Sequence, residues 1–150
     1  MQILKKIVNS IRSIANNGWI THCLEIYTDG GFKQGRGSWA YVVVCKGKIL
    51  REASGLVLKT NSLRMELQAG IEALRSLPLK SRAMIMCDSR ILVDIFKDPT
   101  VKYQGRPNED LIETLRDLNQ QHSIQWKWIK AHSGIVHNER CDELCVMARQ

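Results

Sequence analysis

Leu24-Glu25-Ile26-Tyr27-Thr28-Asp29-Gly30-Gly31 is the stretch on which the reading of this chain turns. Through Asp29 it alternates as a strand with one buried face does. It stops at Gly30-Gly31, where two residues without side chains let a substrate backbone come close. An aspartate therefore ends a strand beside a loop, a place where α/β sheets gather their chemistry.

Working outward, Trp39 to Cys45 is rich in valine and aromatics, Lys46-Gly47-Lys48 reads as a hairpin turn, and Ile49 to Leu58 is a third strand. Three consecutive antiparallel strands follow from this. A helical stretch from Ser62 to Leu77 is closed by Pro78, and the short, wholly apolar run Ala83 to Cys87 suits a central strand buried on both faces. A helix over Arg90–Phe96 ends near Asp98-Pro99, a loop fills 100–107, and a helix covers Asn108–Gln120. Ile124 to Ile129 alternates as a strand, and a last helix spans Asn138–Ala148. The order βββαβααβα predicts an α/β fold, a mixed sheet with helices on its faces.

Upstream, Ile3, Leu4, Ile7, Val8, Ile11, Ile14 and Ala15 share one side of a helical pattern, with Lys5, Lys6, Asn9, Arg12 and Ser13 opposite. Asn16-Asn17-Gly18 stops it. The expected division is an amphipathic extension over 1–22 and a globular domain over 23–150. The extension reads as a helix docked on its own domain or on a partner; a membrane-surface anchor or an organelle-targeting segment are the alternatives.

The 150 residues carry a formal charge of +7, with 25% charged and 44% hydrophobic. That composition predicts a packed core and suits a polyanionic partner. Five scattered cysteines without a C-x-x-C pair argue against a disulfide framework or a zinc knuckle, and for a reducing, cytoplasmic setting. No apolar run approaches the ~20 residues of a membrane span.

Four acids stand where a solvated charge is out of place. Asp29 and Asp88 each end a strand. Glu66 lies three after Leu63 and four before Gly70, on the apolar side of its helix, whereas Arg64 points the other way. A buried carboxylate without a partner is costly, and a divalent cation is the usual remedy. Asp142, near the start of the last helix, is explained equally by the helix dipole. Carboxylates about 5 Å apart repel by roughly 3 kcal/mol at an effective dielectric near 20. All-oxygen ligands favour Mg²⁺ or Mn²⁺ over zinc, and a cluster of this kind suits two ions.

At these residues the chain resembles bacterial ribonuclease HI, the type 1 ribonuclease H family. Tyr27-Thr28-Asp29-Gly30-Gly31 is similar to the first-strand aspartate motif, Arg64-Met65-Glu66-Leu67 to the helix glutamate motif, and Cys87-Asp88-Ser89 to the fourth-strand aspartate motif. Lys130-Ala131-His132-Ser133-Gly134 and Asn138 to Leu144 are similar to the histidine loop and the final helix. The resemblance runs from about Leu24 to the C-terminus, with the motifs in order.

It implies a ribonuclease H-like five-stranded sheet, three antiparallel strands followed by parallel ones. It implies an endonuclease that hydrolyses the RNA strand of RNA–DNA hybrids and leaves 5′-phosphate products. Asp29, Glu66, Asp88 and Asp142 would be metal ligands for two Mg²⁺ (or Mn²⁺) ions, and His132 would assist proton transfer or product release. Gly30, Gly31, Gln34, Ser62 and Gln68 would approach the RNA, with Ser89 beside them, and Asn61 and Asn108 would hold a phosphate of the DNA strand. Lys33, Arg36, Lys97, Lys102 and Arg106 would add salt-sensitive affinity. No small-molecule cofactor is implied, and a monomer is expected. The segment between Asp88 and Asn108 is shorter than in long bacterial enzymes, and Asn61 and Leu63 replace commoner residues. A nuclease of the same fold acting on another target, structure-specific or transposase-like, and a non-catalytic hybrid-binding module are the competing readings. Trp126 and Trp128 read as core, and so do His137, Cys141 and Cys145, which share a helical face.

Overall fold

A computed structural model describes residues 24–150, so the expectations for residues 1–22 lie outside the described residues. The elements follow in the expected order: β1 (Leu24–Lys33), β2 (Arg36–Cys45), β3 (Lys48–Leu58), α1 (Ser62–Arg75), β4 (Arg82–Cys87), α2 (Arg90–Lys97), α3 (Glu109–Gln120), β5 (Ser123–Trp128) and α4 (Val136–Arg149). The sheet order is β3-β2-β1-β4-β5. β1–β2 and β2–β3 are antiparallel; β1–β4 and β4–β5 are parallel. This is the expected mixed sheet.

Side-chain alternation sorts the core onto two faces. Ile26, Tyr41, Val43 and Ile85 pack with Leu67, Ile71 and Leu74 of α1, Leu92 and Ile95 of α2, and Ile112 and Leu115 of α3. Tyr27, Ala40, Val42, Val44 and Met86 pack against Cys141, Leu144 and Cys145 of α4. Trp126 stacks on Phe96, with centroids 4.4 Å apart, and donates its indole N–H to Asn119. Both tryptophans of β5 therefore serve the fold, as expected. So do Cys141 and Cys145, whose thiols are buried and donate to the Tyr27 and Asp29 carbonyls.

Two expectations need correction. β1 does not stop at Gly30-Gly31 but runs on to Lys33, in unbroken register with β2 from Leu24↔Cys45 to Lys33↔Arg36. The turn lies at Gln34 and Gly35, both at positive φ, as a two-residue hairpin turn requires. The second concerns the cysteines. Cys87, Cys141 and Cys145 are free thiols, but Cys45 is disulfide-bonded. It ends β2 opposite Leu24.

What the glycine pair does is visible in the packing. A Cβ built on Gly30 would lie 2.3 Å from the Glu66 backbone nitrogen and 2.4 Å from the Met65 carbonyl carbon. One built on Gly31 would meet the Arg149 guanidinium at 2.0 Å. The side-chain space of both glycines is thus filled by the chain itself, and Gly30 lets the backbone of α1 lie directly on β1. Gly30→Ala is expected to force α1 outward and to cost about 2–3 kcal/mol, in the range of overpacking a rigid interface. Urea denaturation checks this, with Gly47→Ala as the comparison, since that turn glycine (φ +75°) has open space around it and is limited by φ alone.

Candidate active site

The strand register brings the first two acids together. Parallel pairing of β1 with β4 ends at Thr28↔Cys87. Asp29 and Asp88 are the next residues on each strand, about one strand spacing apart: β4 ends at Cys87, while β1 continues past Asp29, which stays paired with Ala40 of β2. The third acid arrives from above. α1 starts at the Asn61 cap, whose side chain accepts the Arg64 N–H, and its contact with Gly30 sets Glu66 over the middle of β1, beside Asp29. Oxygens of Asp29, Glu66 and Asp88 lie within 4.8 Å of one another.

Asp142 reaches the cluster from α4. It is near enough to push Asp29 and Asp88 toward protonation, yet it stays outside the 4.8 Å group. His132 lies in the loop before α4, exposed and at φ 51°, and its charge favours ionised Asp88.

The electrostatics are those of like charges in a poorly solvated place. Asp29 is only 8% exposed. Burial, then Asp88 and Asp142, raise its pKa to about 7, against compensating hydrogen bonds from the Gly30 N–H at 2.9 Å and from the Glu66 side chain. Burial, then Asp29 and Asp88, hold the Glu66 carboxyl well above the ordinary range. Asp88 is raised less, because Asn138 and His132 favour its charged form. Among the described residues, Glu66 Oε2 is buried without a hydrogen-bond partner. An orphaned carboxylate oxygen inside a ring of acids fits a divalent cation, which supplies the missing partner and removes the repulsion.

Sequence reading overlooked Asn138. It is buried, and its side-chain nitrogen forms no well-aligned bond, yet it faces Asp88 and lowers its pKa. Its position four residues before Asp142, on the same side of α4, was the available signal.

The expected substrate residues are scattered around this centre, and several have other partners. Asn61 caps α1, and Ser89 caps α2 by accepting the Leu92 N–H. Gln68 donates to Glu72. Asn108 adopts φ 67° and accepts from Arg64, which also makes a two-pronged ion pair with Asp110. Ser62 and Gln34 are exposed, and Gly31 is half-buried beside Arg149. Of the basic residues, Arg36 donates to the Arg149 carbonyl, Lys97 pairs with Asp94, and Arg106 lies over Tyr103.

The family model described as RNase H matches residues 21–150. A protein named Ribonuclease H from Granulibacter bethesdensis is 34% identical over 141 residues, covering 86% of this chain and 93% of that one. Another of that name, from Rippkaea orientalis, is 37% identical over 137 residues, covering 83% and 84%. Among solved structures, LC9-RNase H1, described as a type 1 RNase H with the type 2 active-site motif, superposes with a TM-score of 0.72 at 23% identity, over 84% of this chain and 71% of that one. LC11-RNase H1, solved in complex with an RNA/DNA hybrid, gives 0.68 at 17% identity, over 85% and 99%.

The raised pKa values carry a stability consequence. The folded chain holds protons on Asp29 and Glu66 to higher pH than the unfolded chain, whose aspartates titrate near 3.8. Without metal, the contribution of these two groups to stability is therefore most favourable below that range and falls as pH rises through the window from about 4 to about 7. Asp29→Asn is expected to melt several degrees above the parent at pH 8 in chelator, and the gap should close toward pH 4. Adding Mg²⁺ or Mn²⁺ at pH 8 should stabilise the parent and not the variant. Differential scanning calorimetry in the two conditions checks both parts.

Proposed function

The chain belongs to the ribonuclease H family, and from that premise we propose how its side chains divide the work of cutting RNA within an RNA–DNA hybrid. The protein is an endonuclease of the ribonuclease H type, a hydrolase of the RNA strand of such hybrids. One observation carries the assignment of its site: carboxylates from β1, from α1 and from just past the end of β4 converge within 4.8 Å.

Asp29, Glu66, Asp88 and Asp142 would hold the metal. The chemistry that bound Mg²⁺, or Mn²⁺, supplies at such a site is activation of a water for attack on phosphorus and stabilisation of the leaving oxygen, with two ions engaged when substrate is present. Asn138 faces Asp88 and favours its ionised form. His132, exposed and within electrostatic reach of Asp88, would carry a proton to the departing oxygen or help the product leave. Hydrolysis leaves the phosphate on the 5′ end of the downstream product.

Recognition rests on the residues around the cluster. The backbones of Gly30 and Gly31, with Gln34, Ser62, Gln68 and Ser89, would meet the RNA strand, whose 2′-hydroxyls distinguish it from DNA. Asn61 and Asn108 each give their side-chain oxygen to Arg64, which leaves both amide nitrogens as donors for a phosphate of the DNA strand. All four acids come from one chain, which supports action as a monomer. No helix among the described residues is long and apolar enough to cross a membrane. The nucleic-acid substrate supports the cytoplasm as the place of action. Residues 1–22 would be an appended element that docks on this domain or on a partner and takes no part in the chemistry.

Matched RNA–DNA, RNA–RNA and DNA–DNA duplexes with Mg²⁺ or Mn²⁺ test the assignment. Cleavage confined to the RNA of the hybrid, lost in chelator, is expected. Asp29→Asn should lower turnover by a factor of roughly 10³ or more while hybrid binding persists. Equal cleavage of all three duplexes, or full activity in the variant, contradicts it. Removal of residues 1–20 should leave turnover on saturating hybrid within about twofold, as a surface element remote from chemistry would.

A further inference from the structure

Most arginines around the carboxylate cluster are committed. Arg64 is paired with Asp110, Arg140 with Glu52 and Glu143, and Arg149 donates to Ser38. Arg90 differs. It is exposed, two residues beyond Asp88, and among the described residues its side chain meets an aromatic face: the guanidinium carbon lies 3.7 Å from the centroid of the Trp128 ring. The same indole donates its N–H to the Asp88 carbonyl at 3.0 Å. Trp128 thus ties the backbone of one cluster acid to a cation that makes no side-chain hydrogen bond or ion pair among the described residues. A guanidinium stacked at that distance keeps its N–H donors directed outward around its rim, and stacking limits the rotamers it would otherwise lose on binding.

From this geometry, and resting on the hybrid-cutting reading above, we propose that Arg90 is a phosphate anchor: it grips a backbone phosphate of the cut strand next to the scissile one. Trp128 acts as its positioning residue. A planar fork on a rigid platform recognises a phosphate in two-pronged fashion, which a flexible lysine does not reproduce.

Steady-state cleavage of a hybrid by Arg90→Ala, Arg90→Lys and the parent, across a salt series, tests this. Arg90→Ala should raise KM roughly tenfold with kcat within about twofold, and should reduce the slope of log kcat/KM against log salt by about one, the signature of one lost phosphate contact. Arg90→Lys should restore the salt slope but only part of the KM. A fall in kcat with KM and salt slope unchanged would show Arg90 merely supporting Trp128 and Asp88, and would overturn the proposal. Unchanged kinetics in Arg90→Ala would overturn it too. In both cases the hybrid-cutting reading stands, because the parent still cleaves; a parent that cuts no hybrid removes that reading and this inference together.

Discussion

Like charges held close in a place where water cannot screen them set the terms for this molecule. Asp29, Glu66 and Asp88 lie within 4.8 Å of one another, and Asp142 stands just outside. At an effective dielectric near 20, each close pair opposes folding by a few kcal/mol, so the remainder of the domain must hold the acids there against their own repulsion. Protons relieve part of it, which is why Asp29 is raised to about 7 and Glu66 higher than its ordinary range. A divalent ion relieves it more completely and puts the strain to chemical use.

The scaffold meets that demand from three directions. Parallel register sets Asp29 of β1 beside Asp88, the residue that follows β4. The absence of a side chain at Gly30 allows α1 to rest backbone against backbone on β1, which fixes Glu66 with little freedom to retreat. On the other face, α4 is fastened to β1 through the thiols of Cys141 and Cys145 and to β3 through the Arg140–Glu52 pair at 2.7 Å. Position is therefore imposed mainly by packing on both sides of the sheet, and the repulsion among the acids opposes it until a cation arrives.

Much of this was legible in the chain, for reasons that differ from element to element. Alternation over residues 124–128 and the apolar run before Asp88 are local signals, and the strands appear where they say. Glu66 could be singled out because its helical neighbours are apolar and Arg64 is not on its face. The reading of Gly30-Gly31 as a stop failed because glycine reports only that room is needed; what fills the room, here α1 and Arg149, is set by tertiary packing. Asn138 escaped notice since a buried asparagine near a helix start looks like a cap, and its relation to Asp88 spans fifty residues. The disulfide at Cys45 likewise depends on proximity that spacing alone does not reveal. The position of Asp142 at the margin of the cluster was beyond sequence altogether, because it depends on where a helix sits along its axis.

The two thiols under α4 have a meaning beyond fastening. Burial pushes Cys145 up to about 12 and Cys141 higher than its usual range, so both remain S–H donors at any physiological pH and neither becomes a nucleophile while the helix is seated. Their silence toward electrophiles is conditional on that seating. Electrophile uptake at these sulfurs would then measure how often the last helix lifts from the sheet, a breathing motion that would carry Asp142 and Asn138 away from their partners. Nature has in effect left an internal gauge of active-site assembly in a place where catalysis makes no use of sulfur.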